Sequence, residues 1–303
     1  MEFGAHLPQI GWDAARPFTL KLLERYVTTA RALGFTAISA NDHIVWHGPW
    51  LDAPTLLSAA LPFADGLTLA TTIGIPVVRG PAAFAKTMAT LDYLSGGRVI
   101  AGVAPGSSAD DYALAGVPYE ERWKRFDESI VVVRALWQPG APPFRGAFYS
   151  TEGKWCEPPP ARAGGPPIWI GSWGSERGMR RVAELGDGWL ASAYNTTPEG
   201  FTKGLATLSS LLPEAGRDPS TFSNGLATGW MHIGDDSEAV LSFMSTSLNR
   251  PIGDLREKLP IGTPSKVAEL VARYRDAGLQ RMFVWPVGDD PVEQMQRFAD
   301  ATL

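Results

Sequence analysis

The chain has 303 residues, of which 45% are hydrophobic and 19% charged, and its formal net charge is −5. A chain of this length buries enough apolar surface to fold without disulfide or metal support, and its single cysteine, Cys156, excludes an intrachain disulfide. No cluster of basic residues indicates a nucleic-acid partner, and no apolar stretch reaches the roughly 18 residues that a membrane span needs. The N-terminal segment lacks the pattern of a signal peptide, so we expect a cytoplasmic protein without nucleic-acid or membrane partners.

Short apolar segments alternate with longer amphipathic stretches along the chain. Eight of these segments are predicted strands: Phe3–Leu7, Ala37–Ala40, Leu67–Thr72, Val99–Val103, Ile168–Gly171, Gly188–Ser192, Gly225–His232 and Arg281–Val284. The stretches between and after them are predicted helices: Leu20–Leu33, Thr55–Leu61, Ala82–Leu94, Glu120–Trp137, Glu176–Leu185, Pro198–Glu214, a helix from Ser237, Pro264–Ala277 and Pro291–Ala301. Alternation of strands and helices favours a parallel sheet, and eight such units favour closure into a (β/α)8 barrel.

Residues 138–166 interrupt this rhythm with many prolines and glycines. Such a stretch is typical of an inserted loop rather than of a linker between domains, and we expect it to close over the site as a lid. The chain is therefore predicted to form a single domain over residues 1–303. The alternative is an open doubly wound sheet, but the first predicted strand runs into Pro8–Gly11 rather than a G-x-G-x-x-G turn.

Functional groups of a barrel lie at the carboxyl ends of its strands, which selects four consecutive loops. These loops contain Asp42–His43, Thr72–Pro76, Ala104–Ser108 and Gly171–Ser175. His43 is the predicted proton donor or acceptor, because an imidazole exchanges protons near neutral pH. Its neighbour Asp42 either orients the loop backbone or caps the following turn.

The loop at Gly171–Ser175 leads directly into a predicted helix. Backbone amides and hydroxyls at a helix N-terminus suit a phosphate group, although a serine cap with glycines for a tight turn explains the same residues. Trp12, Trp46, Trp50 and Trp173 fall in loops on the same side of the predicted barrel. Flat rings in these loops suit a planar cofactor or an apolar substrate.

No metal site or hydrolase motif stands out in the sequence. The four histidines show neither an H-x-H pair on the first strand nor a spacing of two histidines with a carboxylate, which disfavours a metal-dependent hydrolase. A G-x-S-x-G nucleophile turn is also absent. We therefore expect no metal in the site.

Several segments resemble the luciferase-like monooxygenase superfamily, and together they cover nearly the whole chain in order. These segments are Lys86–Gly106, Gly116–Arg122, Arg125–Glu128, Pro166–Gly171, Leu185–Trp189 and Gly262–Pro264. The resemblance implies a homodimeric (β/α)8 barrel. It also implies a cofactor, either FMN acting with oxygen or coenzyme F-420, an 8-hydroxy-5-deazaflavin, acting in hydride transfer.

Within this superfamily the chain is more similar to the deazaflavin branch. Asp42 and His43 resemble the pair that meets the deazaflavin ring in hydride-transfer enzymes. The fourth strand ends in Gly102–Gly106, where many FMN monooxygenases carry a Trp-Asn pair. The third strand resembles one that carries a non-prolyl cis peptide behind the ring, which by that match falls between Thr72 and Ile73.

The residue pattern and the resemblance together predict a set of cofactor contacts and a substrate pocket. The predicted cofactor contacts are Asp42, Thr72, Ile73, Gly106, Asp110, Gly171, Ser172, Trp173, Gly174 and Ser175, and the predicted pocket residues are Trp12, Trp46 and Trp50. Two loops depart from the family pattern: Ser172–Ser175 replaces the commoner Gly-Gly, and Ser107–Asp110 carries different polar groups.

The predicted function is hydride transfer between coenzyme F-420 and a small organic substrate of apolar or aromatic character. His43 is expected to move the accompanying proton. Two alternatives remain open from the sequence. One is an FMN-dependent monooxygenase that uses O2 and reduced flavin, and the other is a non-catalytic flavin-binding barrel.

Overall fold

The computed structural model describes residues 1–303. Its strands are β1 (Glu2–His6), β2 (Ala37–Ala40), β3 (Thr68–Gly74), β4 (Val99–Val103), β5 (Ile168–Gly171), β6 (Gly188–Ser192), β7 (Ser223–Ile233), β8 (Ile261–Gly262) and β9 (Arg281–Pro286). Its α-helices are α1 (Leu20–Ala32), α2 (Ala53–Ala60), α3 (Pro76–Arg79), α4 (Pro81–Ser95), α5 (Ala109–Leu114), α6 (Arg122–Trp137), α7 (Glu176–Leu185), α8 (Pro198–Glu214), α9 (Ser237–Leu248), α10 (Ile252–Arg256), α11 (Pro264–Asp276) and α12 (Pro291–Thr302).

Eight of the strands close into a parallel barrel in the order β1-β2-β3-β4-β5-β6-β7-β9. The ring closes between β9 and β1, where Ala5 is paired with Val284. The short strand β8 pairs with the end of β7 and stands outside this ring. The predicted (β/α)8 barrel is therefore confirmed. The short helices α3, α5 and α10 were not predicted, because they are too brief to show helical periodicity.

Side chains cap the first turn of several barrel helices. Thr19, Asp52, Ser175, Thr197 and Thr263 each accept a hydrogen bond from a backbone amide at the start of α1, α2, α7, α8 and α11. These bonds satisfy amides that have no partner within the helix, so local sequence fixes where each helix begins. None of the helices combines the length and the apolar character that crossing a membrane requires.

Alternate residues of each strand point into the barrel and fill it in layers. The lower layer is a separate buried cluster of Ala37, Ala70, Ile100, Trp169, Leu190 and Phe283. The residues two positions further along these strands form the upper layer: Ser39, Thr72, Gly102, Gly171, Ser192 and Trp285. Apart from Trp285, polar and small residues thus replace the large apolar ones at the carboxyl ends of the strands, which form the mouth of the barrel.

The inserted segment at residues 138–166 contains no helix or strand, as predicted. Glu128 of α6 accepts a hydrogen bond from the amide of Tyr149 at 2.6 Å, and Asp92 of α4 accepts one from the amide of Arg162 at 3.0 Å. These anchoring points lie on the outer helices rather than at the strand ends. These contacts show the segment packed on α4 and α6, and its lid role stays a prediction.

Candidate active site

The loop after β2 places an imidazole–carboxylate pair at the mouth of the barrel. Nδ1 of His43 lies 2.7 Å from Oδ2 of Asp111, which belongs to the first turn of α5. Oδ1 of Asp111 accepts hydrogen bonds from the amides of Ile44 and Val45 at 2.8 and 2.9 Å. Because carboxylate oxygens accept, Nδ1 carries the hydrogen, and Nε2 has no partner in the protein. The geometry leaves Nε2 to exchange a proton with a bound molecule.

Asp42, the neighbour of His43, belongs to a buried ion-pair network. Its carboxylate is fully buried and receives two hydrogen bonds of 2.6 Å from Arg79, which also contacts Asp52. Burial on its own lowers the pKa of Arg79, but the two carboxylates outweigh it and raise that pKa above its ordinary value. Both oxygens of Asp42 are occupied by Arg79, so the side chain ties the β2 loop to α2 and α3. This geometry does not offer the predicted cofactor contact.

Strand β3 carries the irregularity that the resemblance predicts. The peptide bond between Thr72 and Ile73 is cis, and the pairing of β3 with β4 shifts register at this point. Small residues lie beside Ile73: a Cβ on Gly171 would sit 3.1 Å from Cβ of Ala104 and 3.4 Å from Cγ2 of Ile73. Because these residues are small, the surface beside Ile73 is flat and open, and a planar group fits against it.

Four buried polar atoms at the ends of β1, β2 and β3 have no hydrogen-bond partner: His6 Nε2, Ser39 Oγ, Asn41 Oδ1 and Thr72 Oγ1. Of these residues, His6, Ser39 and Thr72 are at most 7% exposed. The side chain of Asn41 lies within hydrogen-bonding reach of His6, and with its amide nitrogen turned toward Nε2 these two residues satisfy each other. The hydroxyls of Ser39 and Thr72 are left without a partner, and hydroxyls suit the polar edge of a heterocyclic ring.

Aromatic rings form a wall that runs from His43 to His6. The ring of His43 lies 4.4 Å from that of Trp46 and 4.8 Å from that of Trp50, between centroids. Trp50 lies 5.7 Å from Trp285, which in turn stacks on His6 at 4.0 Å. Trp46 and Trp50, two of the three predicted pocket residues, are thus brought to the same place. A flat apolar molecule fits along this wall.

The loop after β5 forms a tight turn at the start of α7. Ser175 Oγ accepts a hydrogen bond from the amide of Gly178 at 3.2 Å, and the side chain of Ser172 is buried close by. A Cβ on Gly178 would overlap Oγ of Ser172, so glycine is required for this approach. Two hydroxyls at the positive end of a helix suit an anion, while the ring of Trp173 is 65% exposed.

For three further predicted site residues the structure shows local features only. Asp110 is exposed on α5, one position before the buried Asp111. Gly106 adopts a φ of +83° in the turn after β4, which favours glycine. Trp12 donates from its indole nitrogen to the carbonyl of Pro8 at 2.6 Å. No group of three His, Cys, Asp or Glu side chains is arranged to hold a metal ion.

Sequence reasoning missed His6, Arg79, Asp111 and Trp285. The period-two alternation of the first strand was the available signal for His6, since Gly4 and His6 share a face. Arg79 and Asp111 pair with residues of the β2 loop across long stretches of sequence, and no local pattern predicts such pairs. Trp285 lies just beyond the predicted end of its strand.

A closed parallel barrel with a positioned imidazole at the carboxyl ends of its strands is the arrangement of a barrel enzyme. The family model described as luciferase-like monooxygenase matches residues 1–249, and the chain belongs to this family. The predicted family, a class of luciferase-like oxidoreductases, is thereby confirmed.

Two curated relatives illustrate the similarity. An uncharacterised protein of Mycobacterium tuberculosis is 33% identical over 172 residues, and the alignment covers 56% of this chain and 57% of that protein. The chain thus spans little more than half the length of this relative. An F420-dependent glucose-6-phosphate dehydrogenase of Intrasporangium calvum is 25% identical over 332 residues, covering 97% of this chain and 98% of the relative.

Two solved structures share the fold. A monooxygenase from Streptomyces bottropensis has a TM-score of 0.83 at 22% identity, covering 99% of this chain and 98% of that one. An F420-dependent secondary alcohol dehydrogenase, solved with an F420-acetone adduct, has a TM-score of 0.83 at 18% identity and covers 100% of this chain and 99% of that one. At these identities the likeness establishes the barrel architecture.

Proposed function

We propose that this chain transfers a hydride between coenzyme F-420 and a small organic substrate. The observation that carries the proposal is the His43–Asp111 pair, which presents one imidazole nitrogen at the barrel mouth. The full-length similarity to the Intrasporangium calvum relative, whose name states F420 dependence, supports the choice of cofactor. A hydride transfer to or from an organic group requires a matching proton, and His43 is placed to handle it.

His43 exchanges its proton through Nε2. In the neutral ring Nε2 accepts a proton from a substrate alcohol, and in the protonated ring it donates one to a substrate carbonyl oxygen. Asp111 holds the ring through Nδ1 and stabilises the positive charge of the protonated form. The side chains of His43 and Asp111 are 15% and 4% exposed, so bulk water weakens this electrostatic interaction little.

The residues at the mouth fit a planar deazaflavin, which when bound supplies hydride chemistry at its central ring. The low surface around Ile73 would lie against the ring. The unpartnered hydroxyls of Ser39 and Thr72 would bond its polar edge. Ser172 and Ser175, at the N-terminus of α7, would hold its phosphate group.

The tryptophan wall supports an apolar or aromatic substrate, since Trp46 is 42% exposed beside His43 and offers its ring to a ligand. The assembly and the cellular location remain predictions. We expect a homodimer in the cytoplasm, and sedimentation of the purified protein tests the dimer.

The proposal is tested by mixing the protein with reduced F-420 and a panel of ketones without oxygen, and following cofactor absorbance. We expect oxidation of F-420 that depends on the ketone, and a loss of at least about 100-fold in rate for His43→Ala. Turnover seen only with reduced FMN and oxygen would favour an FMN-dependent monooxygenase instead. Cofactor binding without redox change for any substrate would favour a non-catalytic flavin-binding barrel.

A further inference from the structure

Gln9 lies in the loop after β1 and is fully buried. Its side-chain Nε2 donates to the carbonyl oxygens of Asn41 and Leu51 at 2.9 and 2.8 Å, and its Oε1 accepts from the amide of Asn41 at 2.7 Å. The backbone carbonyl of Gln9 also accepts from the amide of Leu51 at 3.0 Å. One residue therefore holds both ends of the loop after β2, which carries His43.

The orientation of the Gln9 amide is fixed by these partners. Carbonyl oxygens accept and a backbone N–H donates, so Nε2 must face the two carbonyls and Oε1 must face the amide. Asn41 and Leu51 belong to no helix or strand. The side chain thus supplies hydrogen bonds that regular secondary structure would otherwise give.

The part of the loop between these ends is held from the opposite side by Asp111. That carboxylate binds the ring of His43 and the amides of Ile44 and Val45. Ile44 and Trp46 are 41% and 42% exposed, so little of the protein packs against the loop beyond this point. The position of His43 depends on how well the base of the loop is fixed.

Arg79 joins the same loop by a different route. It binds the side chains of Asp42 and Asp52, which rotate about their own bonds. Gln9 instead binds both the N–H and the carbonyl of Asn41, two residues before His43. It therefore fixes the backbone from which the imidazole projects.

We infer that Gln9 is a positioning residue that sets the place of His43 for proton transfer. The inference rests on the proposed function, in which Nε2 of His43 exchanges the substrate proton. Gln9 has no exposed surface, so it contacts neither substrate nor cofactor and acts through the loop alone. A misplacement of about 1 Å in a reacting group costs about 100-fold in rate, so a buried support of this kind affects turnover.

Gln9→Met and Gln294→Met form a matched pair of variants. Both glutamines are buried, and Gln294 holds the backbone of Ile233 in the same way: Oε1 accepts from its amide at 2.8 Å and Nε2 donates to its carbonyl at 3.2 Å. Methionine nearly conserves the volume and removes these bonds. We expect similar losses of stability in urea, so that a difference between the variants in the site reports on Gln9 alone.

The first readout is the ring signal of His43 in NMR spectra of the protein with isotope-labelled histidine, of which the chain contains four. Two indole rings lie 4.4 and 4.8 Å from this imidazole, so a small displacement changes its chemical shift. We expect Gln9→Met to move the His43 signal and Gln294→Met to leave it in place. Gln294→Met should instead move the signal of His232, the neighbour of the residue that Gln294 binds.

The second readout is turnover of F-420 with a ketone in a double-mutant cycle. We expect Gln9→Met to lower turnover at least about tenfold in the wild-type background. In the His43→Ala background it should cause no further loss, because the side chain that it positions is absent. Gln294→Met should change turnover by less than about twofold in either background.

An unmoved His43 signal in Gln9→Met, or an equal movement in Gln294→Met, would overturn the inference. A turnover loss in Gln9→Met that recurs in full in the His43→Ala background would also overturn it, because Gln9 would then act on another group. A wild type without F-420 turnover would contradict the proposed function, while the His43 signal would still decide the role of Gln9. If Gln9→Met does not fold, Gln9→Glu, which keeps the oxygen facing the Asn41 amide and loses both donated bonds, is measured in the same way.

Discussion

Asp111 and His43 are separated by 68 positions in the sequence, yet their side chains meet at 2.7 Å at the mouth of the barrel. The six-residue helix α5, which follows β4, carries Asp111 to the loop that follows β2. The same carboxylate binds two amides of that loop, next to His43. One side chain therefore sets both the orientation of the imidazole and the shape of the loop that bears it.

Asp111→Asn tests this positioning role. The amide cannot accept from both the imidazole and the loop amides, so we expect turnover to fall about 100-fold while F-420 affinity stays the same. Steady-state kinetics measure the loss of turnover, and fluorescence titration measures the affinity for F-420. Asp110→Asn changes the exposed neighbour and serves as the control, and equal activity of the two variants would contradict the assignment.

Arg79→Gln tests the ion-pair network that holds Asp42. Its removal leaves a fully buried carboxylate without its partner, so we expect a loss of about 3–5 kcal/mol in the free energy of unfolding. Urea unfolding measures the loss, and the double variant with Asp42→Asn should recover part of it. Arg145→Gln, in an exposed ion pair with Glu152, is the matched control and should cost at most about 1 kcal/mol. Equal losses in the free energy of unfolding for the two variants would show that the buried network stabilises the fold no more than an exposed ion pair does.

Gly178→Ala tests the anion site at the start of α7. The added methyl would displace Oγ of Ser172, and we expect F-420 affinity to fall about tenfold, the order of one hydrogen bond. The same deazaflavin without its phosphate should bind both proteins equally. Fold stability should change by less than about 1 kcal/mol, since alanine favours the helix. A similar loss of affinity for F-420 and for the deazaflavin without phosphate would show that the phosphate binds elsewhere.

The pH dependence of stability should show a contribution from Asp236. A hydrogen bond from His232 at 2.7 Å is the largest cause that holds the pKa of this carboxyl below its ordinary value of 3.8. A lowered folded-state pKa stabilises the fold above pH 3.8, and the contribution is lost as the pH falls below it. Asp236→Asn should therefore be less stable than the wild type at neutral pH and equal to it in strong acid. Urea unfolding from neutral pH to strong acid measures the difference in the free energy of unfolding between the two proteins. A difference that grows as the pH falls would contradict the assignment.

The barrel could be predicted from the sequence because each unit carries its own signal. Local hydrophobic patterns identify apolar strands such as Val99–Val103 and amphipathic helices such as Leu20–Ala32. Eight alternating strand–helix units then favour a closed parallel barrel. The cis bond at Thr72–Ile73 came from the family resemblance, whereas His43 was selected by its place after the second strand and the resemblance supported it. The structure contains that cis bond, whereas the role of His43 awaits experiment.

The site partners could not be predicted because they depend on three-dimensional register. Asp110 and Asp111 are adjacent and chemically alike, and α5 is too short for periodicity to tell which of them is buried. His6 was included in an apolar strand, and its stacking on Trp285 is seen only in the folded barrel. Pairings across the barrel carry no local signature in a single sequence.

Titration of the purified apoprotein with F-420 and with FMN, followed by fluorescence quenching, tests the central claim most directly. A hydride-transfer enzyme of the deazaflavin type should bind F-420 with micromolar or tighter affinity and FMN at least about tenfold more weakly. The same preference should persist in His43→Ala, since that residue acts on the substrate proton rather than on cofactor binding. Tight FMN binding with weak F-420 binding would contradict the account and identify an oxygen-using flavin enzyme instead.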